Sequence, residues 1–191
     1  MKQAFFFGYG SLVNRSTHDF SQAQTASATG WRRAWRSTRL RPVSFLTAVP
    51  DSSCEIDGLI AHVPNDDWAA LDEREHAYAR VDAAHQVTHG LGNSASSIAI
   101  YAIESGHHFD PSLDHPILLS YLDVVIQGYL KEFGEAGAMR FFETTSGWEA
   151  PLLNDRAKPL YPRHKTLTAD ELTFVDDALA RLAVTPFTRE L

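Results

Sequence analysis

The sequence contains a single cysteine, Cys54, among its 191 residues. One cysteine cannot form an internal disulfide, which favours a reducing compartment, and we expect the protein to be cytoplasmic. Cys54 follows the turn-like stretch 51–53 and has no catalytic Cys/His signature around it. Nothing in the sequence therefore marks it as a nucleophile.

Positive charge is also scarce. The chain has 17 Lys and Arg against 24 Asp and Glu, a formal net charge of -7, which argues against a nucleic-acid-binding protein. A local arginine cluster is the exception, and it consists of Arg32, Arg33, Arg36, Arg39 and Arg41. A solvated, strand-rich face is the simplest interpretation of this cluster, with anion binding as the alternative.

Long hydrophobic runs are missing near the start of the chain, where the apolar segment 4–7 ends at Gly8. This segment is too short for the apolar core of a signal peptide or for a membrane span, so we expect no membrane insertion. With 44% hydrophobic and 21% charged residues, the composition is typical of an ordinary globular protein.

Two common hydrolase signatures are absent as well. The histidines closest to a metal-binding pattern, His85 and His89, lie on a predicted strand and its turn, where a gap of four residues spans ~13 Å. The sequence has no His-Glu-x-x-His helix, and Gly8-Tyr9-Gly10-Ser11 is not a Gly-x-Ser-x-Gly elbow. We therefore expect neither a metal centre nor a Ser/His/Asp triad.

The first feature that suggests chemistry is a glycine loop after a buried strand. Residues 4–7 predict a strand that is apolar on both faces, and it continues into Gly8-Tyr9-Gly10-Ser11-Leu12. Glycines on either side of a tyrosine favour a tight loop whose backbone amides are open. Such loops end many strands, and only some of them bind an anion or an oxyanion.

The second feature is a carboxylate in line with the apolar side of a short helix. Asn65 is the predicted N-cap, and the helix carries Trp68, Leu71 and Glu75 at spacings of three and four residues, which place them on one face. Arg74 is predicted on the solvated side. A glutamate in this position is often paired or partly exposed, and catalysis is the alternative interpretation.

The remaining pattern mixes strands and helices. The predicted elements are one or two strands between residues 30 and 49 with a break near Pro42, a turn at Asp57-Gly58, strands at 59–63, 78–87 and 98–103, a helix at 114–133, and a terminal helix that begins at a capping box at 168–171. Gly128 lies inside the longest helix, where it indicates close packing or access for a ligand.

Four segments resemble, in this order, one known family: the γ-glutamylcyclotransferases with the related ChaC and AIG2-like proteins. The segment 7–12, Phe-Gly-Tyr-Gly-Ser-Leu, is similar to the substrate loop of that family, and Leu71-Asp72-Glu73-Arg74-Glu75 is similar to its acidic motif, whose final Glu is catalytic. The segment 58–64 resembles the strand before that motif, and Tyr121-Leu122 with Gly128 resembles a later helix.

Two departures concern substrate choice. The loop lacks the Asn of the common Tyr-Gly-Ser-Asn-Leu form, which places it nearer the ChaC pattern. However, the Arg-Gly-Thr-Pro-like stretch of ChaC enzymes is missing around residues 39–44.

The resemblance implies an α+β fold in which a small, mixed, β-barrel-like sheet is flanked by helices. It covers roughly residues 4–135. We accordingly expect a γ-glutamylcyclotransferase-like domain over residues 1–140 and a C-terminal extension, residues 141–191, packed on the same domain.

The activity implied by the resemblance is that of a cofactor-free γ-glutamylcyclotransferase, of the lyase or acyltransferase type. The α-amine of a γ-glutamyl group attacks its own γ-carbonyl, which yields 5-oxoproline and a free amine. A dipeptide, glutathione (and hence glutathione metabolism) and a γ-glutamyl amine all remain possible substrates. Because the nucleophile and the electrophile belong to the same molecule, the enzyme has to supply only their orientation and the transfer of a proton. One carboxylate with a raised pKa can carry that proton.

The resemblance implies the catalytic residue and the loop, and the remaining candidates are tyrosines that could supply a hydroxyl. Glu75 is the predicted catalytic residue, and the predicted substrate-binding residues are Tyr9, Gly10, Ser11, Leu12, Tyr101 and Tyr121. The amides of Gly10, Ser11 and Leu12 are expected to bind the substrate's α-carboxylate or the developing oxyanion. Tyr9 is expected to pack over the methylene chain of the substrate, and Tyr129 is a further candidate hydroxyl donor; ordinary core packing is the alternative for each of these tyrosines. We expect no metal, no cofactor, and a monomer whose partner is a small-molecule γ-glutamyl substrate.

Two further hypotheses concern the alternative function and the extension. A non-catalytic small-molecule-binding module of the same fold is the alternative to the enzyme. The extension contains Arg156 and Arg163 among prolines and aromatic residues, so it is a candidate for a segment that covers the pocket and binds a substrate carboxylate, with a plain surface loop as the simpler interpretation.

Overall fold

A central sheet organises the protein. The computed structural model describes residues 3–92, 95–104 and 106–188. The strands of the central sheet are β1 (Gln3–Gly8), β2 (Gln24–Ser37), β3 (Ser44–His62), β4 (Ala79–Asp82), β5 (Val87–His89), β6 (Ala95–Ala102) and β8 (Thr145–Ser146). Their order is β4-β6-β1-β3-β2-β5, with β8 paired to β2, and the β1–β6 and β2–β8 pairs are parallel. The sheet is curled into a half-barrel.

The predicted first strand is confirmed, and its sequence explains its central position. Phe5 and Phe7 belong to the main hydrophobic core, whereas Ala4 and Phe6 belong to a second, smaller cluster. Successive side chains of a strand point to opposite faces, so an uninterrupted apolar run can be buried only where both faces are covered. The strand therefore lies between β3 and β6, and it delivers the glycine loop at its carboxyl end.

The predicted turn at Asp57-Gly58 is wrong, because β3 runs without a break from Ser44 to His62. Gly58 has a packing role instead. A Cβ on Gly58 would lie 2.4 Å from the carbonyl oxygen of Gly8 and 2.6 Å from the ring of Phe7. Only glycine allows β3 to approach the start of the loop this closely. The break near Pro42 is confirmed, since residues 38–43 join β2 to β3.

Helix α1 spans Trp68–Arg74, and Asp67 caps it, with its carboxylate accepting a hydrogen bond from the Ala69 N–H at 2.9 Å. Asn65 was predicted to be the cap, but it has a φ of 55° inside the 3-10 turn Pro64–Asp66. Asp67 takes over because its backbone has the extended conformation that an N-cap requires.

Helix α2 is longer than predicted and begins later, at Leu119, after the short strand β7 (Ile117–Leu118). It extends to Glu143, and Gly134 inside it has a φ of 66° and a ψ of -174°, which interrupts the helix. A left-handed φ of this kind is readily available only to glycine.

Residues of the predicted extension pack against the same core. Strand β9 (Leu152–Leu153) pairs with β7, and helix α3 (Ala169–Arg181) places Val175, Ala178 and Leu179 in the main core. The predicted capping box is present, with Thr168 as the cap. The division at residue 140 stays a prediction, and residues 189–191 of the extension lie outside the described residues.

The architecture is α+β, as predicted, with a mixed, partly closed sheet and the helices α1, α2 and α3 against it. Within the described residues, no helix combines the length and the apolarity that crossing a bilayer requires.

Candidate active site

The backbone of the glycine loop is anchored from inside the core. Ser11–Val13 form a 3-10 turn directly after Gly10, so the first N–H groups of this turn have no partner within it. The carbonyl oxygen of Tyr9 accepts hydrogen bonds from Arg33 Nε at 3.2 Å and from the Tyr129 hydroxyl at 2.9 Å. These bonds hold the peptide just before the turn in one orientation.

Arg33 is fully buried although sequence reasoning placed it in a solvated cluster. Its guanidinium also donates to the Asp57 carbonyl, the Tyr129 hydroxyl (2.6 Å) and the Thr144 hydroxyl (2.7 Å), and its charge lies 4.9 Å from the ring centroid of Phe141. A guanidinium has five donors in a planar fork, so it can satisfy several carbonyl and hydroxyl oxygens at once.

The far side of the loop is anchored on helix α2. Asn14 is buried, and its amide donates to the Val124 carbonyl at 2.9 Å and to Gln127 Oε1 at 3.0 Å. A Cβ on Gly128 would lie 2.6 Å from the backbone nitrogen of Asn14. Of the two interpretations of Gly128, close packing is the one that the structure supports.

Glu75 lies directly after helix α1 and not inside it, because it is the C-cap residue, with its N–H bonded to the Leu71 carbonyl at 2.9 Å. Its side chain is 19% exposed, and Oε1 accepts a hydrogen bond from Arg74 Nε at 3.1 Å. Arg74 was predicted to face solvent. It is instead held between Glu75 and the ring of Phe20, 5.6 Å from its centroid.

Glu75 and the glycine loop line one crevice. Its volume is about 50 Å³, and its walls are the segment 7–12 together with Leu46, Glu75, Tyr78, Tyr101 and Tyr121. The carboxylate and the loop, which are more than sixty residues apart in the chain, therefore meet because β1 and helix α1 converge at this edge of the sheet.

Burial raises the pKa of the Glu75 carboxyl above its ordinary value. The charge of Arg74, its hydrogen bond to the carboxylate and the charges of Arg163 and His76 oppose this rise. Burial disfavours the charged form of a carboxyl group, so Glu75 holds a proton more readily than an exposed glutamate does. The rings around it are tyrosines of the crevice rather than the predicted Trp68, which packs beside Leu71 and under Arg80.

The tyrosines singled out from the sequence have different surroundings. Tyr9 is a core residue whose hydroxyl donates to the Tyr101 carbonyl at 2.5 Å and accepts from the Ala48 N–H at 3.0 Å. The hydroxyl of Tyr101 donates to Asp72 Oδ1 at 2.5 Å and so joins β6 to helix α1. The Tyr129 hydroxyl lies in the core, bonded to the carbonyls of Tyr9 and Asp57.

Tyr121 is the tyrosine whose hydroxyl lies at the glycine loop. A Cβ on Gly10 would be 2.7 Å from that hydroxyl oxygen. Burial raises the pKa of Tyr121 well above its ordinary value, and the backbone N–H of Ser11 partly opposes the rise, so the hydroxyl stays protonated beside the loop amides. Its ring packs edge-on against Trp35 and Tyr161.

Sequence reasoning missed Tyr78 as a crevice residue. Its hydroxyl donates to the Leu46 carbonyl at 3.0 Å, and burial raises its pKa well above the ordinary value. Tyr78 follows Glu75 by three residues, and its N–H donates to the Glu75 carbonyl at 2.8 Å, which forms a turn. The three-residue spacing between Glu75 and Tyr78 could have indicated that the two side chains lie close together. The predicted strand at 78–87 instead assigned Tyr78 to a separate element.

A larger cavity of about 380 Å³ adjoins the crevice, with which it shares Ser11, Glu75, Tyr78 and Tyr121. Arg41, Arg74 and Arg163 supply its positive charge. Of the two extension arginines in the lid hypothesis, Arg163 therefore reaches the site. Arg156 does not line it, and binds Asp123 through two hydrogen bonds of 2.8 Å.

Metal ligands do not cluster in the part of the chain that the structure describes: no group of three or more His, Cys, Asp or Glu side chains is placed to hold an ion. Cys54 is buried and belongs to the main core.

Comparison with protein families gives one match that covers more than half of the chain. The family described as "Gamma-glutamyl cyclotransferase, AIG2-like" matches residues 6–119. This range includes the glycine loop, Glu75 and the strands that bring them together. No curated protein matches the sequence.

Solved structures of distant sequence share the fold. An uncharacterized protein from Homo sapiens aligns with a TM-score of 0.58 at 11% identity, over 92% of this chain and 99% of its own. A structure described as a gamma-glutamyl cyclotransferase aligns with a TM-score of 0.57 at 12% identity, over 92% and 99% of the two chains. YkqA from Bacillus subtilis aligns with a TM-score of 0.51 at 16% identity, over 77% of this chain and 57% of its own.

Proposed function

The chain belongs to the gamma-glutamyl cyclotransferase, AIG2-like family, and we propose that it converts a γ-glutamyl compound into 5-oxoproline and a free amine. One observation carries the proposal: a buried carboxylate with a raised pKa and an amide-rich glycine loop line the same crevice. Family membership alone supports the class of reaction, and the crevice supports the assignment of the proton carrier.

Glu75 is the proposed general base and acid. The α-amine of the glutamyl unit attacks its own γ-carbonyl, a new C–N bond closes the five-membered ring, and the bond to the departing nitrogen breaks. The proton that leaves the attacking amine passes to Glu75 and then to the departing nitrogen, so none is gained or lost overall. A carboxyl whose pKa is raised toward the working pH suits both transfers.

The loop supplies hydrogen-bond donors to an anionic oxygen. The N–H groups at the start of the 3-10 turn, from Gly10 to Leu12, are proposed to receive the substrate's α-carboxylate or the oxygen that becomes negative when the ring closes. The protonated hydroxyl of Tyr121 adds a donor at the same place. Tyr9 and Tyr101 shape the crevice wall, with their own hydroxyls bonded to the protein.

The crevice of about 50 Å³ adjoins the cavity of about 380 Å³ and shares Ser11, Glu75, Tyr78 and Tyr121 with it, so we propose that the substrate occupies both. The enzyme is proposed to act as a monomer. The single cysteine supports a reducing, cytoplasmic setting.

The test is formation of 5-oxoproline from a panel of γ-glutamyl dipeptides, glutathione and γ-glutamyl amines. Glu75→Gln is expected to lower kcat by about 100- to 10,000-fold, because the amide keeps the shape of the side chain but cannot accept the proton. Glu73→Gln is the matched control, since Glu73 is exposed two residues away on the same segment. Binding of these compounds without any 5-oxoproline would instead identify a non-catalytic binding module.

A further inference from the structure

Next to the crevice, two cavities with different chemistry share a wall. The first is the cavity of about 380 Å³ that contains Arg41 and Arg163, and the second has a volume of about 270 Å³ and is mainly apolar. The apolar cavity is lined by Val43, Phe45, Leu46, Leu118, Leu160 and Pro162 among others. Both cavities include Arg41, Tyr78 and Tyr121, and the two tyrosines also line the crevice that holds Glu75.

Arg41 and Arg163 are exposed, and neither forms an ion pair within the described part of the chain. Most arginines elsewhere do pair: Arg32 binds Asp51, Arg80 binds Asp72, and Arg140 binds Asp57. Two unpaired guanidinium groups on one cavity wall attract an anion, and a carboxylate matches their planar fork. Arg74 differs from them, because its Nε already binds Glu75.

The apolar cavity has room for a large side chain. A cavity of about 150 Å³ is known to hold a benzene ring, so about 270 Å³ accommodates a phenyl or leucyl group. Most of the exposed lining is apolar, although Arg41, Ser44 and the tyrosines Tyr78, Tyr121 and Tyr161 also contribute to it. An apolar group that enters the cavity therefore leaves water with a favourable free energy.

We propose that the departing half of the substrate is an α-amino acid with a large apolar side chain and a free carboxylate, so that γ-glutamyl-leucine and γ-glutamyl-phenylalanine represent the substrate class. This inference rests on the proposed function. In such a dipeptide the departing nitrogen is bonded to a carbon that carries both the carboxylate and the side chain. From a nitrogen held beside Glu75, the two groups diverge, the first toward Arg41 and Arg163 and the second into the apolar cavity.

Other γ-glutamyl compounds fit this pair of cavities less well. A polyamine or a simple amine brings no carboxylate, and a polyamine adds positive charge beside two unpaired arginines. In glutathione the group next to the departing nitrogen is the small CH2SH of cysteine, and the carboxylate lies one residue further away. The cavities therefore favour γ-glutamyl dipeptides with leucine or phenylalanine over glutathione, and both over amines.

Matched substrates separate the contribution of the carboxylate from that of the apolar side chain. We would compare kcat/KM, measured as 5-oxoproline formed, for γ-glutamyl-phenylalanine, γ-glutamyl-alanine, γ-glutamyl-phenethylamine and glutathione. The phenylalanine compound is expected to exceed the alanine compound by about 10- to 100-fold, the range that burial of a large apolar side chain supplies. It is expected to exceed the phenethylamine compound, which differs only in the carboxylate, by about 10-fold.

Variants then assign each preference to its cavity. Arg41→Gln with Arg163→Gln is expected to abolish the preference for the carboxylate, measured as the ratio of kcat/KM for γ-glutamyl-phenylalanine to kcat/KM for γ-glutamyl-phenethylamine. This ratio cancels any common effect that the loss of the Arg163 charge has on Glu75. Arg39→Gln is the control, since Arg39 is an exposed arginine on the same β2–β3 connection that lines a different cavity. Leu160→Ser, at a side chain that is 55% exposed, is expected to reduce the preference for phenylalanine over alanine without affecting folding.

The outcomes are distinct. Equal kcat/KM for the phenylalanine and phenethylamine compounds, or preferences that survive the double arginine variant, would overturn the carboxylate assignment. Equal rates for phenylalanine and alanine compounds would overturn the apolar one. Absence of 5-oxoproline from all four compounds would contradict the cyclotransferase proposal itself, whereas product without selectivity contradicts only the substrate class.

Discussion

A Cβ atom placed on Gly10 would lie 2.7 Å from the hydroxyl oxygen of Tyr121. This distance is well below van der Waals contact, so the absence of a side chain at residue 10 is what lets the Tyr121 hydroxyl reach the loop. The same Cβ would be 3.9 Å from Tyr121 Cζ, an ordinary contact. The glycine and the tyrosine hydroxyl are therefore complementary in shape.

Gly10→Ala should reduce kcat/KM for 5-oxoproline formation, because the new methyl group displaces the Tyr121 hydroxyl from the loop amides. Tyr121→Phe removes the clashing atom. We therefore expect Gly10→Ala to do little further harm in the Tyr121→Phe background, and a double-mutant cycle on kcat/KM measures this coupling. Independent effects of the two changes would contradict the predicted clash.

Gly128→Ala should destabilise the protein by about 1–3 kcal/mol, the usual cost of overpacking. The added Cβ would lie 2.6 Å from the backbone nitrogen of Asn14, and backbone cannot rotate away as a side chain can. Helix propensity alone would raise stability by about 1 kcal/mol on the same change. The sign of the change in the free energy of unfolding in urea thus decides between packing and propensity.

Glu75→Gln should stabilise the protein at neutral pH relative to the parent. The pKa of Glu75 is raised in the folded state, so its contribution to stability is full below the unfolded-state pKa and is lost as pH rises through the folded-state pKa. The difference in Tm between Glu75→Gln and the parent is expected to grow as the pH rises above the unfolded-state pKa of about 4.3 and to level off above the folded-state pKa. Glu73→Gln controls for the loss of one negative charge, and a difference that shrinks with rising pH would refute this assignment.

Arg33→Lys should cost about 1–3 kcal/mol in the free energy of unfolding, because an ammonium group cannot reach all the carbonyl and hydroxyl oxygens that the guanidinium satisfies. Arg32→Lys is the control on the adjacent residue, where the arginine is half-buried and pairs with Asp51, and its effect should stay within about 0.5 kcal/mol. Urea unfolding of both variants checks the prediction. Similar costs for the two would mean that burial of Arg33 has no special energetic role.

Local patterns predicted the elements whose residues interact mainly with near neighbours in sequence. The apolar run 4–7 predicted β1, and the Thr168 capping box predicted the start of α3, because a central strand and a helix cap each have a short sequence signature. A sequence pattern that is compatible with two local structures could not be assigned from the sequence. Asp57-Gly58 has the composition of a turn, yet here the glycine permits close contact with Gly8 and Phe7, which no local pattern reveals.

The sequence by itself determined the two chemical components of the site, the glycine loop and the glutamate of the acidic motif, because their residue types and order carry the family resemblance. Tertiary structure alone decided the rest. The burial that raises the pKa of Glu75, the anchoring of the loop by Arg33, and the position of the Tyr121 hydroxyl at Gly10 all depend on strands and helices that meet from distant parts of the chain. Burial and hydrogen-bond geometry depend on contacts between segments that are distant in sequence, so they cannot be read from any one segment.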